Sequence, residues 1–363
     1  MTDGAMQGDP VPVGYGDVGC GAVMDFDAVT EVSVIVPIHN AANTVEQQVR
    51  ALLDQRTARS YEIIMVDDAS NDATGALLRR WAGLDERISI VNAPGVGAYA
   101  ARNIGAALAK GRHLLFCDAD DVVGRRWLEA QATALETWPL VGGRLDLTRL
   151  NGVTQQRWRK GVDESDAPVH ANFLPYACAA NLGVRREVFD EVGGFDGLAR
   201  YGEDVGFCWR VQCRGHTLGW ANAAVVHYRT RSTLLAHLVQ HFRYGRSVVE
   251  QPRAFAGQGA QTPTLANNVL VCALMLGRAA AGALAGDRGR FGRHLGYAVA
   301  NLGAIHHRLR PAPAAMVRRG VEWPSPAHEL WSLVPDLGQE LRRRLRRAVP
   351  AGLVARLVAR GRR

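Results

Sequence analysis

Lysine is nearly missing from this chain. Of 43 basic residues only Lys110 and Lys160 are lysine, against 35 acids, so the formal charge of +8 is carried by arginine. Arginine suits phosphate and carboxylate recognition through its planar fork of donors. Paired cysteines are also lacking: Cys20, Cys117, Cys178, Cys208, Cys213 and Cys272 form no CxxC spacing. That excludes a zinc ribbon or a CxxC redox centre and leaves free thiols in a reducing compartment. Aromatics make up 7% and never interleave with a basic stripe, which argues against a nucleic-acid partner. Met1–Phe26 has neither a basic start nor a sustained apolar core, so residues 1–30 read as a flexible leader rather than a signal peptide. The 18-residue apolar run Val269–Gly286 carries Arg278 at its centre. A central arginine costs about 2.5–3.5 kcal/mol of membrane insertion, so a helix packed on the main domain is expected there, not a span.

What is present is a regular alternation. VSVIVP (Val32–Pro37), YEIIMVDD (Tyr61–Asp68), RISIV (Arg87–Val91) and HLLFC (His113–Cys117) read as buried strands. Helical patterns separate them, with Asn43 and Glu46 as a capping box and Asp72 as an N-cap. Strand starts at 32, 61, 88 and 113 are one βα unit apart, which predicts a parallel sheet with right-handed crossovers. Polar clusters end the strands on one edge: His39 and Asn40, Asp67 and Asp68, then Asp118, Asp120 and Asp121. Ligands of open α/β sheets bind at that edge.

The last cluster organises the others. Asp118 and Asp120, two apart, share one face of an extended strand, and two carboxylates held that close need a proton or a cation between them. Hard oxygen ligands suit Mg²⁺ or Mn²⁺, which bind phosphates as well. Asp121 reads as the N-cap of the next helix. Asp68 can accept a hydrogen bond from the imide N–H of uracil, or of thymine, while Asp67 serves the loop.

VSVIVPIHN, MVDDASND, ARN followed by G, A, A and G, FCDADD, VGGFD and GEDVGFCWR, in that order from Val32 to Arg246, resemble the family 2 glycosyltransferases of GT-A fold. The resemblance implies an α/β, Rossmann-like, mostly parallel sheet with flanking helices. It also implies inverting transfer of a sugar from a nucleotide-diphosphate donor with a divalent cation. By position, Pro37, His39 and Asp68 line the nucleotide base, and Arg102 approaches the diphosphate or a DxD acid. Asp118 and Asp120 form the DxD and are both implied metal ligands, with Asp120 the more direct one and Asp118 also reaching the nucleotide. Asp204 falls at the catalytic base, with Glu203 competing or else paired with Arg200 or Arg210. His227 stands late in the chain, where such enzymes often place a third metal ligand.

The departures are His39 where tyrosine is frequent, Arg125 for a proline, and Gln240-His-Phe-Arg243-Tyr244 as an inexact echo of the processive signature. Single transfer is therefore expected over polymerisation. GFDGLARYGEDVGFCWR supplies Asp204 after a glycine-rich mobile loop and then a helix anchored by Phe207 and Trp209, with Val205, Cys208 and Trp209 on its buried side, while Trp220 and Tyr228 read as core. Gly95, Gly97 and Ala100 mimic a dinucleotide fingerprint, but on the third strand rather than the first, so an NAD(P) oxidoreductase is the minor alternative.

The expected organisation is a leader (1–30), a GT-A domain (31–246, with halves 31–123 and 124–246) and a helical basic appendage (247–363). From Arg243 onward there are 20 arginines against six acids, so the remainder is net acidic. Leu337, Leu341, Leu345 and Val349 repeat beside Arg342–Arg344, Arg346 and Arg347 as a basic amphipathic helix suited to an anionic membrane surface. The expected setting is cytoplasmic, peripheral on the inner face of the membrane, with a nucleotide-sugar donor and a glycan or lipid-linked acceptor.

Overall fold

The computed structural model describes residues 30–159, 166–196 and 201–309. The leader, the amphipathic tail helix and residues 197–200 of the glycine-rich loop, Arg200 included, lie outside the described residues. The chain runs β1 (Val32–Ile38), α1 (Val45–Leu53), β2 (Tyr61–Asp68), α2 (Thr74–Ala82), β3 (Ile88–Ala93), α3 (Ala98–Leu108), β4 (His113–Phe116) and β5 (Val122–Val123). Next come α4 (Trp127–Thr137), β6 (Leu140–Asp146), α5 (Val153–Trp158), β7 (Leu182–Arg185), α6 (Arg186–Glu191), α7 (Glu203–Cys213) and β8 (Leu218–His227). Three long helices follow: α8 (Leu234–Ala254), α9 (Leu265–Leu284) and α10 (Arg288–Leu309).

One sheet carries all eight strands in the order β3-β2-β1-β4-β7-β6-β8-β5. The first four are parallel, as the βα spacing predicts. Beyond β4 the sheet turns mixed, because β7 runs antiparallel to both β4 and β6. The chain steps outward from β1 to β3 and then returns to lay β4 on the other side of β1. That reversal opens a crevice at the carboxyl ends of β1 and β4, the switch point where open α/β sheets bind ligands.

Alternation along β1 divides the core. Val32, Val34 and Val36 face Val45, Val49 and Leu52 of α1. Ile35 faces the other layer, with Ala101 and Ala106 of α3 and the rings of Phe116, Phe189, Phe195 and Phe207. A β-carbon at Gly105 would sit 2.5 Å from Ile35 Cγ2, so α3 lies on β1 as closely as it does only because that residue is glycine.

The expected caps differ. The residue before α1 is Thr44, with no side-chain cap, and Asp72 accepts from the Thr74 amide at 2.9 Å one position before the N-cap Ala73. The apolar helix α9 does not lie mainly on the sheet domain as expected. It packs on α10, which in turn packs on α8 and α5.

Candidate active site

β4 stops at Phe116, so Asp118 and Asp120 sit in the turn after the strand rather than on it. The turn still gathers them. Ligand oxygens of Asp118, Asp120 and Asp121 all lie within 4.8 Å of one another. Gln48 of α1 fixes the turn by donating to the Asp118 carbonyl at 3.0 Å and accepting from the Val123 amide at 3.0 Å. Asp121 does not cap α4, whose N-cap is Arg126. One Asp121 oxygen accepts from the Arg229 amide at 2.6 Å, and the other is buried without a partner among the described residues. Arg229 Nε donates to the Asp120 carbonyl at 2.7 Å, and Arg231 Nη1 stands 3.9 Å from Asp120 Oδ2.

Burial pushes the Asp120 and Asp121 carboxyls above their ordinary range, and the neighbouring carboxylates push them further. Clustered oxygen donors that repel one another, one of them unsatisfied, are what a hard divalent cation relieves. The residues present therefore fit Mg²⁺ or Mn²⁺.

His227 stands outside that group of three. It pairs with Val122 across β5 and β8, next to Asp121, and its Nδ1 is 2.6 Å from Asp146 Oδ2. A ring nitrogen held by a carboxylate fixes the orientation of the other one.

Arg102 links the acid turn to α7. Its Nη2 donates to Asp118 Oδ1 at 2.6 Å and its Nη1 to Glu203 Oε1 at 3.0 Å. Burial alone would lower the guanidinium's pKa, but Asp118 and Glu203 more than offset it, so it stays charged. Burial, then the charge of Asp204, pushes the Glu203 carboxyl up to about 7. Glu203 therefore pairs with Arg102 and not Arg210, which is bound to Asp196. Asp204 Oδ2 accepts from the Ala179 amide at 3.2 Å. Gly202, in the left-handed region at φ 78°, starts α7, and Gln251 of α8 donates to its carbonyl at 2.7 Å.

The β1 and β2 ends are arranged otherwise. Both oxygens of Asp68 accept backbone amides, from Val96 and Gly97, each at 2.7 Å. The glycine loop before α3 thus spends its amides on this side chain, whereas a dinucleotide fingerprint needs them free for pyrophosphate. His39 Nδ1 bonds the Asp68 carbonyl at 2.7 Å, and the ring itself is exposed. Pro37 is half-buried beside it. Asn40 and Ala69, which follow β1 and β2, both have positive φ (52° and 58°), backbone strain of the kind that gathers at binding edges.

Sequence reasoning missed Gln48, Asp146 and Arg229. Only Arg229 had a signal, in the basic stretch after His227.

An α/β crevice with clustered acids at the switch point and further acids at a helix start is the arrangement of an enzyme that holds a metal-bound phosphate ester beside a carboxylate base, as a nucleotide-sugar glycosyltransferase does. Residues 33–193 match the model of glycosyl transferase family 2, and residues 155–285 that of glycosyl transferase family group 2. The chain is a family 2 glycosyltransferase with a GT-A fold. Glycosyltransferase AglE of Haloferax volcanii is 28% identical over 223 residues, 60% of this chain and 73% of AglE. The putative teichuronic acid biosynthesis glycosyltransferase TuaG of Bacillus subtilis is 41% identical over 101 residues, 28% of this chain and 40% of TuaG. The mannosyltransferase PcManGT of Pyrobaculum calidifontis, solved with GDP-Man and Mn²⁺, superposes with a TM-score of 0.55 at 19% identity, covering 77% of this chain and 88% of that one.

Proposed function

We propose that this enzyme transfers one sugar, with inversion, from a UDP- or dTDP-linked donor to a hydroxyl of a glycan or lipid-linked envelope acceptor. The observation that carries this reading is the Arg102 bridge, which sets the acid turn and the Glu203–Asp204 pair on one crevice. Asp118 and Asp120 hold the divalent cation, with His227 as a further ligand oriented by Asp146. When bound, the cation neutralises charge on the departing diphosphate. Arg229 and Arg231 flank the same phosphates. Pro37 and His39 line the base. Asp68, already held by two amides, keeps a lone pair on each oxygen for the imide N–H.

Asp204 does the proton work. The acceptor oxygen attacks the anomeric carbon as the bond from that carbon to the diphosphate oxygen breaks, and Asp204 takes the hydroxyl proton. Glu203, drawn to Arg102, keeps the first turn of α7 against the acid turn. The echo motif lies in α8, where the Arg243 guanidinium stands 5.9 Å over the Tyr201 ring, and it carries Tyr244 where the processive signature has tryptophan, which favours single transfer. A panel of nucleotide sugars with Mn²⁺, scored for hydrolysis without acceptor, tests the donor. Turnover of a GDP-sugar with no UDP- or dTDP-sugar would overturn the Asp68 assignment, and turnover of none would overturn the function.

The helical region supports a peripheral setting on an anionic leaflet. The helix α9 is long and apolar enough to cross a membrane, yet it exposes Val269, Leu270, Leu274 and Leu276. From α8 to α10 eight arginines stand against Glu250 and Asp287 alone. Leucine with arginine fits a lipid surface, at about 1 kcal/mol per engaged basic residue. The tail arginines, outside the described residues, would add to it.

A further inference from the structure

Asp204 is held by the Ala179 amide, and the segment that carries Ala179 brings Tyr176 and Cys178 with it, followed by Tyr228, Tyr244 and Arg159, none of which the mechanism uses. Tyr176, Cys178 and Tyr244 each lie within electrostatic reach of both Asp204 and Arg159. All five are half-buried.

Arg159 is the odd member. It ends α5, with its guanidinium 5.5 Å over the Tyr228 ring and within hydrogen-bonding reach of the Tyr244 hydroxyl. Its Nε is buried without a partner, and no carboxylate pairs with it among the described residues. Two other arginines around the site have side-chain partners: Arg102 on Asp118 and Glu203, and Arg229 on the Asp120 carbonyl and Gln47, while Arg231 stands 3.9 Å from Asp120 on the donor side. A guanidinium enclosed by phenols, with a donor unused, is costly to hold unless an anion completes it. Its fork matches the oxygens of phosphate or carboxylate.

We propose that Arg159, framed by Tyr228 and Tyr244, binds an oxyanion carried by the acceptor, beside the base that deprotonates the acceptor hydroxyl. The anion site stands on the side-chain geometry; its assignment to the acceptor rests on the transferase reading. Such an acceptor bears a phosphate or a carboxylate close to the hydroxyl that receives the sugar.

The test uses the full chain without divalent cation, titrated by calorimetry with inorganic phosphate and, separately, with acetate. One of the two should bind at one site per chain, and the one that does identifies the group. Arg159→Gln should weaken that binding about tenfold or more, as expected for a lost charge-assisted bond, and Arg159→Lys should weaken it less. Unchanged affinity in Arg159→Gln, or no binding by wild type, overturns the site. If Arg159→Gln fails to fold, Tyr244→Phe and Tyr228→Leu decide: a severalfold loss supports the site, and wild-type affinity in both overturns it. UDP with Mn²⁺ is then added. Simultaneous binding of nucleotide and oxyanion supports the acceptor assignment, while mutual exclusion assigns Arg159 to the donor and overturns it. Failure of UDP or any other nucleotide diphosphate to bind wild type would strike the transferase reading and leave the anion result standing.

Discussion

Arg102 of α3 donates to Asp118 at 2.6 Å, so the helix after β3 and the turn after β4 are tied by a buried charge pair at the mouth of the crevice. Removing one partner of such a pair leaves an uncompensated charge, which costs more than the pair itself contributes. Arg102→Met should therefore damage stability and nucleotide binding together, by about 3–5 kcal/mol of unfolding free energy. Chemical denaturation measures it, and a loss below about 1 kcal/mol would show that the bridge does not organise the site.

Asp120 is the cleaner probe of the cation. Asp120→Asn keeps shape and lowers repulsion within the turn, so the fold should persist while Mn²⁺-dependent nucleotide binding disappears. Calorimetry with and without Mn²⁺ reads this directly. Unchanged, Mn²⁺-dependent affinity would remove the cluster from the mechanism.

At the base, Asp204→Asn should leave nucleotide binding intact and cut transfer by about 10²–10⁴. If Glu203→Gln proves the damaging change and Asp204→Asn is nearly silent, the two residues exchange roles.

Glu203 also sets a pH dependence. Its carboxyl rises from the usual 4.5 to about 7 on folding, chiefly through burial and then through Asp204. Between those values the folded chain holds a proton that the unfolded chain has released, so this contribution to stability is full below about pH 4.5 and lost as the pH climbs to about 7. Glu203→Gln removes that slope. Melting temperatures should show the variant gaining on wild type at pH 8 relative to pH 5, and parallel curves would exclude the shift.

The exposed leucines of α9 separate lipid binding from packing. Leu270→Glu with Leu274→Glu should leave the melting temperature unchanged, since both side chains are open, and should abolish co-flotation with anionic vesicles at low salt. Flotation equal to wild type would assign binding elsewhere.

Asp68 shows where reading the chain stops. Its place at the end of β2 was legible, because YEIIMVDD is an apolar run closed by acids. That two amides from the following loop would claim its oxygens was not, since those donors lie 28 and 29 residues downstream and their direction depends on how Gly95 and Gly97 turn. Asp121 errs the same way: a local cap was expected, and the segment just after β8, over 100 residues away, supplies the donor instead.

The sequence by itself determined the four βα units, the edge at which the strands end in acids, and the succession of motifs that defines the family. These are short-range facts: apolar periodicity decides strand or helix, and a βα unit allows one handed crossover. Tertiary structure alone decided that β7 reverses beside β4, that Arg102 joins Asp118 to Glu203, and that Asp146 holds His227. It also decided that Arg159 lies over the Tyr228 ring with its Nε lacking a partner among the described residues, and that α9 rests on α10 with its leucines exposed. Each of these joins residues far apart in the chain, and which donor meets which acceptor is set by how closely helices lie on the sheet, which no local pattern encodes.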